Sequence, residues 1–141
     1  MTFEELAPFV ALPSVDLGVH TVTHPVLPLL SDAELEREIS ACHAALRERF
    51  ADVLPILAVP FGLFDARTVR VASAAGMTAS LTLAGATLRR HHSPDDLPRF
   101  CISRDETAWK LTLRLANVLD WVRPRRRRGA RMYPALPSAT T

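Results

Sequence analysis

Short apolar segments alternate with longer amphipathic segments along most of the chain, and this alternation limits the possible folds more than any other feature. Over 32–50, apolar residues recur at steps of three and four and form one face of a helix. The segments at 15–19, 56–59 and 77–83 are typical of strands, and strands separated by long helices require crossover connections. The sequence therefore predicts an α/β fold in which helices flank a largely parallel sheet.

The helix boundaries follow from local capping signals. Thr2 and Ser31 each precede a glutamate by three residues, which is the spacing of a capping box. Asp65 is placed to cap a further helix, and Gly76 follows its last residue. These signals and the apolar periodicity predict helices over 3–11, 32–50, 66–75 and 105–122, with one more strand over 100–103.

The charges divide the 141 residues into a body and a tail. Six arginines and no acidic residue lie in 123–141, which leaves eleven basic and fifteen acidic residues in 1–122. We expect a single folded domain over 1–122 and a disordered basic tail over 123–141. A negatively charged body argues against a specific nucleic-acid surface, and attraction through the tail alone would be non-specific.

Membrane and redox signals are weak in this sequence. No run approaches the roughly 18–20 apolar residues of a membrane span, and the acidic start has no apolar signal-peptide core. Read as written, such a sequence is cytoplasmic, but it does not identify the location of the protein. Cys42 and Cys101 match no metal-binding or redox spacing and are expected to be buried thiols.

Two histidines four residues apart, His20 and His24, are the first candidates for chemistry. On an extended strand they would lie about 13 Å apart, whereas on a helical turn they rise by only about 6 Å and share one face. A shared metal therefore requires a turn after Val19, and Pro25 requires that turn to open at His24. Taken alone, this spacing more often marks two exposed histidines beside a loop, because two ligands make a poor metal site.

A second candidate is the strand end Leu57–Gly62, which breaks sharply at Pro60-Phe61-Gly62. Such an end can direct backbone amides toward an oxyanion. It can equally be a tight turn into the next helix.

Together these segments resemble the polysaccharide deacetylases of the NodB-homology type, carbohydrate esterase family 4. The zinc motif of that family, H-[ST]-x-x-H, matches His20–His24, and the longer form found in one bacterial subgroup, G-x-H-T-x-x-H-P-x-L, matches Gly18–Leu27. Three further subgroup motifs follow in order: L-S-x-x-E-L-x-x-E-I at Leu30–Ile39, F-A-Y-P-[FY]-G at Leu57–Gly62, and L-P-R-[FI] at Leu97–Phe100.

The resemblance implies a partial, distorted (β/α) barrel and a metal-dependent hydrolase that removes acetyl groups, chiefly N-acetyl, from a carbohydrate polymer containing N-acetylglucosamine. It implies that His20 and His24 hold a divalent metal, zinc first, with cobalt or nickel as alternatives. Full-length relatives are often secreted or located in the cell envelope.

The resemblance also gives roles to residues around the metal. The Phe61 N–H would donate to the oxyanion, Pro60 and Gly62 would shape that turn toward the substrate, and the Thr21 hydroxyl would brace the histidines. Arg99 would orient the general acid.

Two family motifs have no match here. The T-F-D-D-G motif supplies the third metal ligand and the catalytic base, but Thr2–Glu5 lies too close to His20 and is a helix cap. The late L-x-H motif is also missing, since His91 and His92 lie in a polar loop. We therefore expect the C-terminal part of a deacetylase domain with weak or no activity.

Such a part would leave an open barrel edge, which an upstream fragment or a second copy could cover. The alternative is a non-catalytic, deacetylase-like module that binds carbohydrate or another chain.

Overall fold

The computed structural model describes residues 2–116, so the predicted basic tail and the end of the last predicted helix lie outside the described residues. Four parallel strands form one open sheet in the order of the chain: β1 (Leu17–Val19), β2 (Val53–Ala58), β3 (Ala79–Thr82) and β4 (Leu97–Pro98). The helices are α1 (Phe3–Val10), α2 (Asp32–Arg47), α3 (Ala66–Ala74) and α4 (Ala108–Leu115). The predicted α/β class with a parallel sheet is confirmed.

The capping residues predicted from the sequence begin their helices as expected. Thr2 and Ser31 each accept a hydrogen bond from the backbone of the glutamate three residues later, and each glutamate bonds back to the cap. Asp65 caps α3 in the same way, with Thr68 as its reciprocal partner. Gly76 follows the C-cap of α3 with φ +84°, a left-handed conformation that glycine adopts without steric cost.

The core lies between the sheet and helices α2 and α3. Val19, Leu57 and Val59 project from the sheet side, and Leu35 and Ile39 of α2 meet them with no measurable exposure. The remaining buried apolar residues are Leu27, Phe64, Val71, Ala72 and Met77. This core fixes α2 rigidly against β1 and β2.

Side chains of β2 alternate between the two faces of the sheet. Leu57 is fully buried on the helix face, whereas Leu54 is 39% exposed and Ile56 and Ala58 are half-buried. Parallel sheets are usually covered on both faces, so the second face of this sheet is the less protected one.

The predicted strand at 100–103 is wrong, because the fourth strand is Leu97–Pro98. Its partner β3 ends at Thr82, which faces Pro98 in the register, so no strand lies opposite 100–103. The chain leaves the sheet after Arg99, whose backbone N–H donates to the Thr82 carbonyl at 3.0 Å.

Two smaller expectations also need correction. Helix α4 begins at Ala108 rather than at 105, because a turn closed by the Glu106 N–H on the Ser103 carbonyl precedes its N-cap, Thr107. Cys101 is exposed and Cys42 only half-buried, so neither thiol is the buried one predicted. Within the described residues, no helix is long and apolar enough to cross a membrane.

Candidate functional site

The candidate site lies where two neighbouring strands end. His20 directly follows β1, and the Pro60–Gly62 turn follows β2 after one residue. The His20 and His24 rings have centroids 4.8 Å apart, and the His24 ring lies 4.6 Å from the Phe61 ring. The structure therefore brings the two predicted motifs together at the carboxyl edge of the sheet, where parallel α/β folds usually bind ligands.

One backbone contact orients the His20 ring. Its Nδ1 lies 2.6 Å from the Ala58 carbonyl oxygen. Because a carbonyl can only accept, this contact requires a proton on Nδ1, and the tautomer with that proton has its lone pair on Nε2. A ring N–H donated to a backbone carbonyl is the arrangement that accompanies most metal-binding histidines.

The turn between the histidines is built from left-handed residues. Thr21 has φ 67° and His24 has φ 58°, so the segment is a bend rather than the right-handed helical turn considered from the spacing. Pro25 explains part of this difference, since it disfavours the right-handed helical conformation at His24. The buried Thr21 hydroxyl accepts a hydrogen bond from the His24 N–H at 3.2 Å, a contact of the kind that its predicted bracing role requires.

Glu38 is a site residue that the sequence analysis did not single out. Its Oε2 accepts from the Val22 N–H at 2.8 Å and from the Thr23 N–H at 2.9 Å, and its Oε1 accepts from the Thr23 hydroxyl at 2.8 Å. Burial raises the pKa of the Glu38 carboxyl, but the hydrogen bonds from Thr23 and Val22 outweigh it, so the pKa lies below its ordinary value. The available signal was the L-S-x-x-E-L-x-x-E-I motif, whose second glutamate is Glu38, next to the buried residue Ile39.

The Pro60–Gly62 turn presents Phe61 beside His24. Phe61 has φ 56° and Gly62 has φ 67°. The two hydrogen bonds of the turn run from the Gly62 N–H to Val59 and from the Leu63 N–H to Pro60, so neither uses the Phe61 N–H. Pro60 and Gly62 are buried, whereas the Phe61 side chain is exposed.

Arg99 lies at the end of β4. Its guanidinium donates to the Leu81 carbonyl at 3.4 Å, and its Nε is buried without an acceptor among the described residues. No hydrogen bond or ion pair described for residues 2–116 joins Arg99 to either histidine. Its role in orienting the general acid therefore stays a prediction.

Among residues 2–116, the metal-binding donors that the fold brings together at this site are the imidazoles of His20 and His24. In the described part of the chain, no group of three or more histidine, cysteine, aspartate or glutamate side chains could hold a metal ion. The two imidazoles fit two positions of a zinc site, since zinc binds neutral imidazole nitrogens. His91 and His92 also lie close together, with ring centroids 4.8 Å apart, but His92 Nδ1 accepts from the Arg89 N–H at 2.9 Å.

Fold and motifs define a deacetylase domain of the NodB type, and the family comparison agrees. The sequence model of the polysaccharide deacetylase family matches residues 4–80, and the chain belongs to this family. The resemblance drawn from the motifs is confirmed. A search of curated proteins finds no match.

A solved structure with the same fold is the Streptococcus pyogenes deacetylase PplD in complex with acetate. The two chains superpose with a TM-score of 0.61 at 20% sequence identity, over 68% of this chain and 42% of the streptococcal one. At that identity the likeness shows the fold. This chain matches less than half the length of the streptococcal protein.

Proposed function

We propose that this domain serves metal-dependent removal of acetyl groups from a carbohydrate polymer, with N-acetyl groups on N-acetylglucosamine as the expected target. The observation that carries the proposal is the convergence of His20, His24 and Phe61 at the ends of two adjacent strands. Membership of the polysaccharide deacetylase family supports an acetylated carbohydrate as the substrate class.

His20 and His24 are the residues that would hold the metal, with zinc as the first choice and cobalt or nickel as alternatives. The contact of His20 Nδ1 with the Ala58 carbonyl supports this role, because it directs the Nε2 lone pair away from the protein backbone. When bound, a divalent metal supplies Lewis acidity toward a carbonyl oxygen and a nucleophilic water at neutral pH.

The Phe61 N–H is the donor proposed for the acetyl oxygen. The turn leaves this N–H out of its own two hydrogen bonds, and the left-handed backbone at Phe61 and Gly62 holds its direction. A backbone donor of this kind stabilises the negative charge that develops on the carbonyl oxygen. In hydrolysis the amide C–N bond breaks, the water oxygen joins the acetyl carbon, and the sugar amine takes up a proton.

We expect the 141-residue chain alone to bind zinc weakly and to release acetate slowly. Within residues 2–116 no third metal-binding side chain joins the two histidines, and two ligands make a weak zinc site. Without the general base that the T-F-D-D-G motif supplies in the family, the rate would fall by a further factor of about 10²–10⁴. The same observation favours the second candidate, a non-catalytic deacetylase-like module that binds carbohydrate or another chain.

The test measures zinc binding and acetate release on the same samples. Zinc chloride is titrated while the ring protons of the histidines are followed by NMR, so that each of the five histidines is read separately. Acetate release from chitooligosaccharide is measured with zinc, with cobalt and with a chelator. His20→Ala and His24→Ala are the variants, and His91→Ala is the matched control.

Zinc shifts at His20 and His24 that the two variants abolish, together with slow chelator-sensitive acetate release, would support the proposal. Binding of chitooligosaccharide without zinc shifts or acetate would favour the non-catalytic module. Fast acetate release that ignores the chelator would overturn the metal role.

A further inference from the structure

We propose that Glu38 is a positioning residue that holds His20 and His24 together from helix α2. The inference rests on the proposed function, since it concerns how the histidine pair is held ready for a metal. It is carried by contacts that cross fifteen and sixteen residues of sequence and join a rigid helix to an exposed segment.

The segment between the histidines has few supports of its own. Val22 is 59% exposed and Thr23 is also exposed, so core packing does not hold them. Thr21 and His24 on either side adopt left-handed conformations, which are strained for residues other than glycine. Strain of this kind persists only where neighbouring contacts impose it.

The Glu38 carboxylate provides such contacts. The two successive N–H groups of Val22 and Thr23 converge on one oxygen, and the Thr23 hydroxyl binds the other. Successive backbone N–H groups in a turn form a concave anion site, and hydrogen bonds to a charged acceptor are about twice as strong as neutral ones. The carboxylate therefore fixes the backbone midway between the two ligands.

The helix that carries Glu38 is packed into the core. Leu35 and Ile39, on the same helix, are fully buried against the sheet. Two further hydrogen bonds hold the histidines. The Ala58 carbonyl of the sheet bonds to the His20 ring, and the Thr21 hydroxyl of the turn accepts from the His24 N–H. Loss of the carboxylate would free residues 22 and 23 and let the two rings separate.

The experiment compares Glu38→Gln with Glu36→Gln, which removes the same charge from an exposed position on the same helix. Three quantities are measured on the metal-free chain and then with zinc: hydrogen exchange of the Val22 and Thr23 amides, the proton contact between the His20 and His24 rings, and zinc affinity. Glutamine keeps one neutral acceptor oxygen, so we expect Glu38→Gln to lose much of the amide protection and of the ring contact, and to weaken zinc binding by about 10–100-fold. Glu36→Gln should behave like the wild type.

Local effects must be separated from loss of fold. Unchanged methyl signals from Leu35 and Ile39 would show that the core of Glu38→Gln is intact. Should Glu38→Gln not fold, Thr23→Val carries the test, because it removes only the hydroxyl contact and should speed exchange at residues 22 and 23 to a smaller extent.

The outcomes distinguish this inference from the proposed function. Unchanged amide exchange and ring contact in Glu38→Gln and in Thr23→Val would overturn the role of Glu38, whatever zinc does. Loss of both signals in a protein whose histidines bind no zinc would support the positioning role while refuting the metal site.

Discussion

Replacing Gly62 by alanine tests the turn that carries Phe61 beside the histidines. A Cβ at this position would lie 2.7 Å from the Leu83 Cβ and 2.8 Å from the Leu83 backbone nitrogen, and the residue has φ +67°. Because a backbone nitrogen cannot rotate away as a side chain can, the clash is relieved only if Leu83, which follows β3, or the Pro60–Gly62 turn moves. Gly85 is a matched control, because it has φ +64° with no atom within 4 Å of an added Cβ.

The expected magnitudes follow from these two geometries. A left-handed alanine costs about 1–2 kcal/mol. The lower freedom of alanine in the unfolded chain returns about 0.4–1 kcal/mol. Gly85→Ala should therefore lower the free energy of unfolding by about 0–1.6 kcal/mol. Gly62→Ala adds overpacking of about 1–3 kcal/mol, for a total of about 1–4.6 kcal/mol.

The assay is urea unfolding followed by far-UV circular dichroism, with the ring contact between His24 and Phe61 followed by NMR. We expect Gly62→Ala to lose this ring contact as well as stability, while Gly85→Ala keeps it. Unfolding free energies of the two variants within about 0.5 kcal/mol of each other, the usual scatter of surface changes, would refute the steric reasoning.

Three further predictions concern stability, each measured by urea unfolding. Leu57→Ala removes the fully buried side chain of β2 and should lower the free energy of unfolding by about 2–5 kcal/mol. Leu54→Ala, on the exposed face of the same strand, should lower it by less than half as much, and equal losses would contradict the assigned faces. Asp65→Ala should cost about 1–2 kcal/mol by removing the α3 cap, and Asp65→Ser should recover most of it. Hydrogen bonds from the Ser31 hydroxyl and the Ser31 backbone N–H hold the pKa of the Glu34 carboxyl below its ordinary value. The stability advantage of wild type over Glu34→Gln should therefore be present at neutral pH and vanish as the pH falls through the lowered folded pKa; an advantage that grows in acid would contradict this sign.

Local signals in the sequence were sufficient to predict where α1, α2 and α3 begin and to predict the class of fold. Ser31 and Asp65 predict helix starts because a cap is satisfied by residues only three positions away. The apolar periodicity over 32–50 predicts α2, because residues three and four positions apart lie on the same face of a helix. The parallel sheet was predictable because the strands are separated by helices long enough to form crossover connections.

The last strand shows where this reasoning fails. Residues 100–103 have the apolar character of a strand, yet the chain pairs at Leu97–Pro98 instead. Pairing depends on where the partner strand ends, and β3 ends at Thr82. That endpoint belongs to another segment of the chain, so periodicity within 100–103 could not reveal it.

The candidate site was likewise predictable in its local motifs but not in its long-range contacts. The sequence by itself determined the histidine spacing, the Pro60-Phe61-Gly62 break and, through the family resemblance, the chemistry to which both belong. Only the tertiary structure decided that His24 meets Phe61, that Ala58 orients His20 and that Glu38 anchors the bend between the histidines. These contacts join residues fifteen or more positions apart, and their geometry depends on how α2 and β2 pack against β1, which no local pattern encodes.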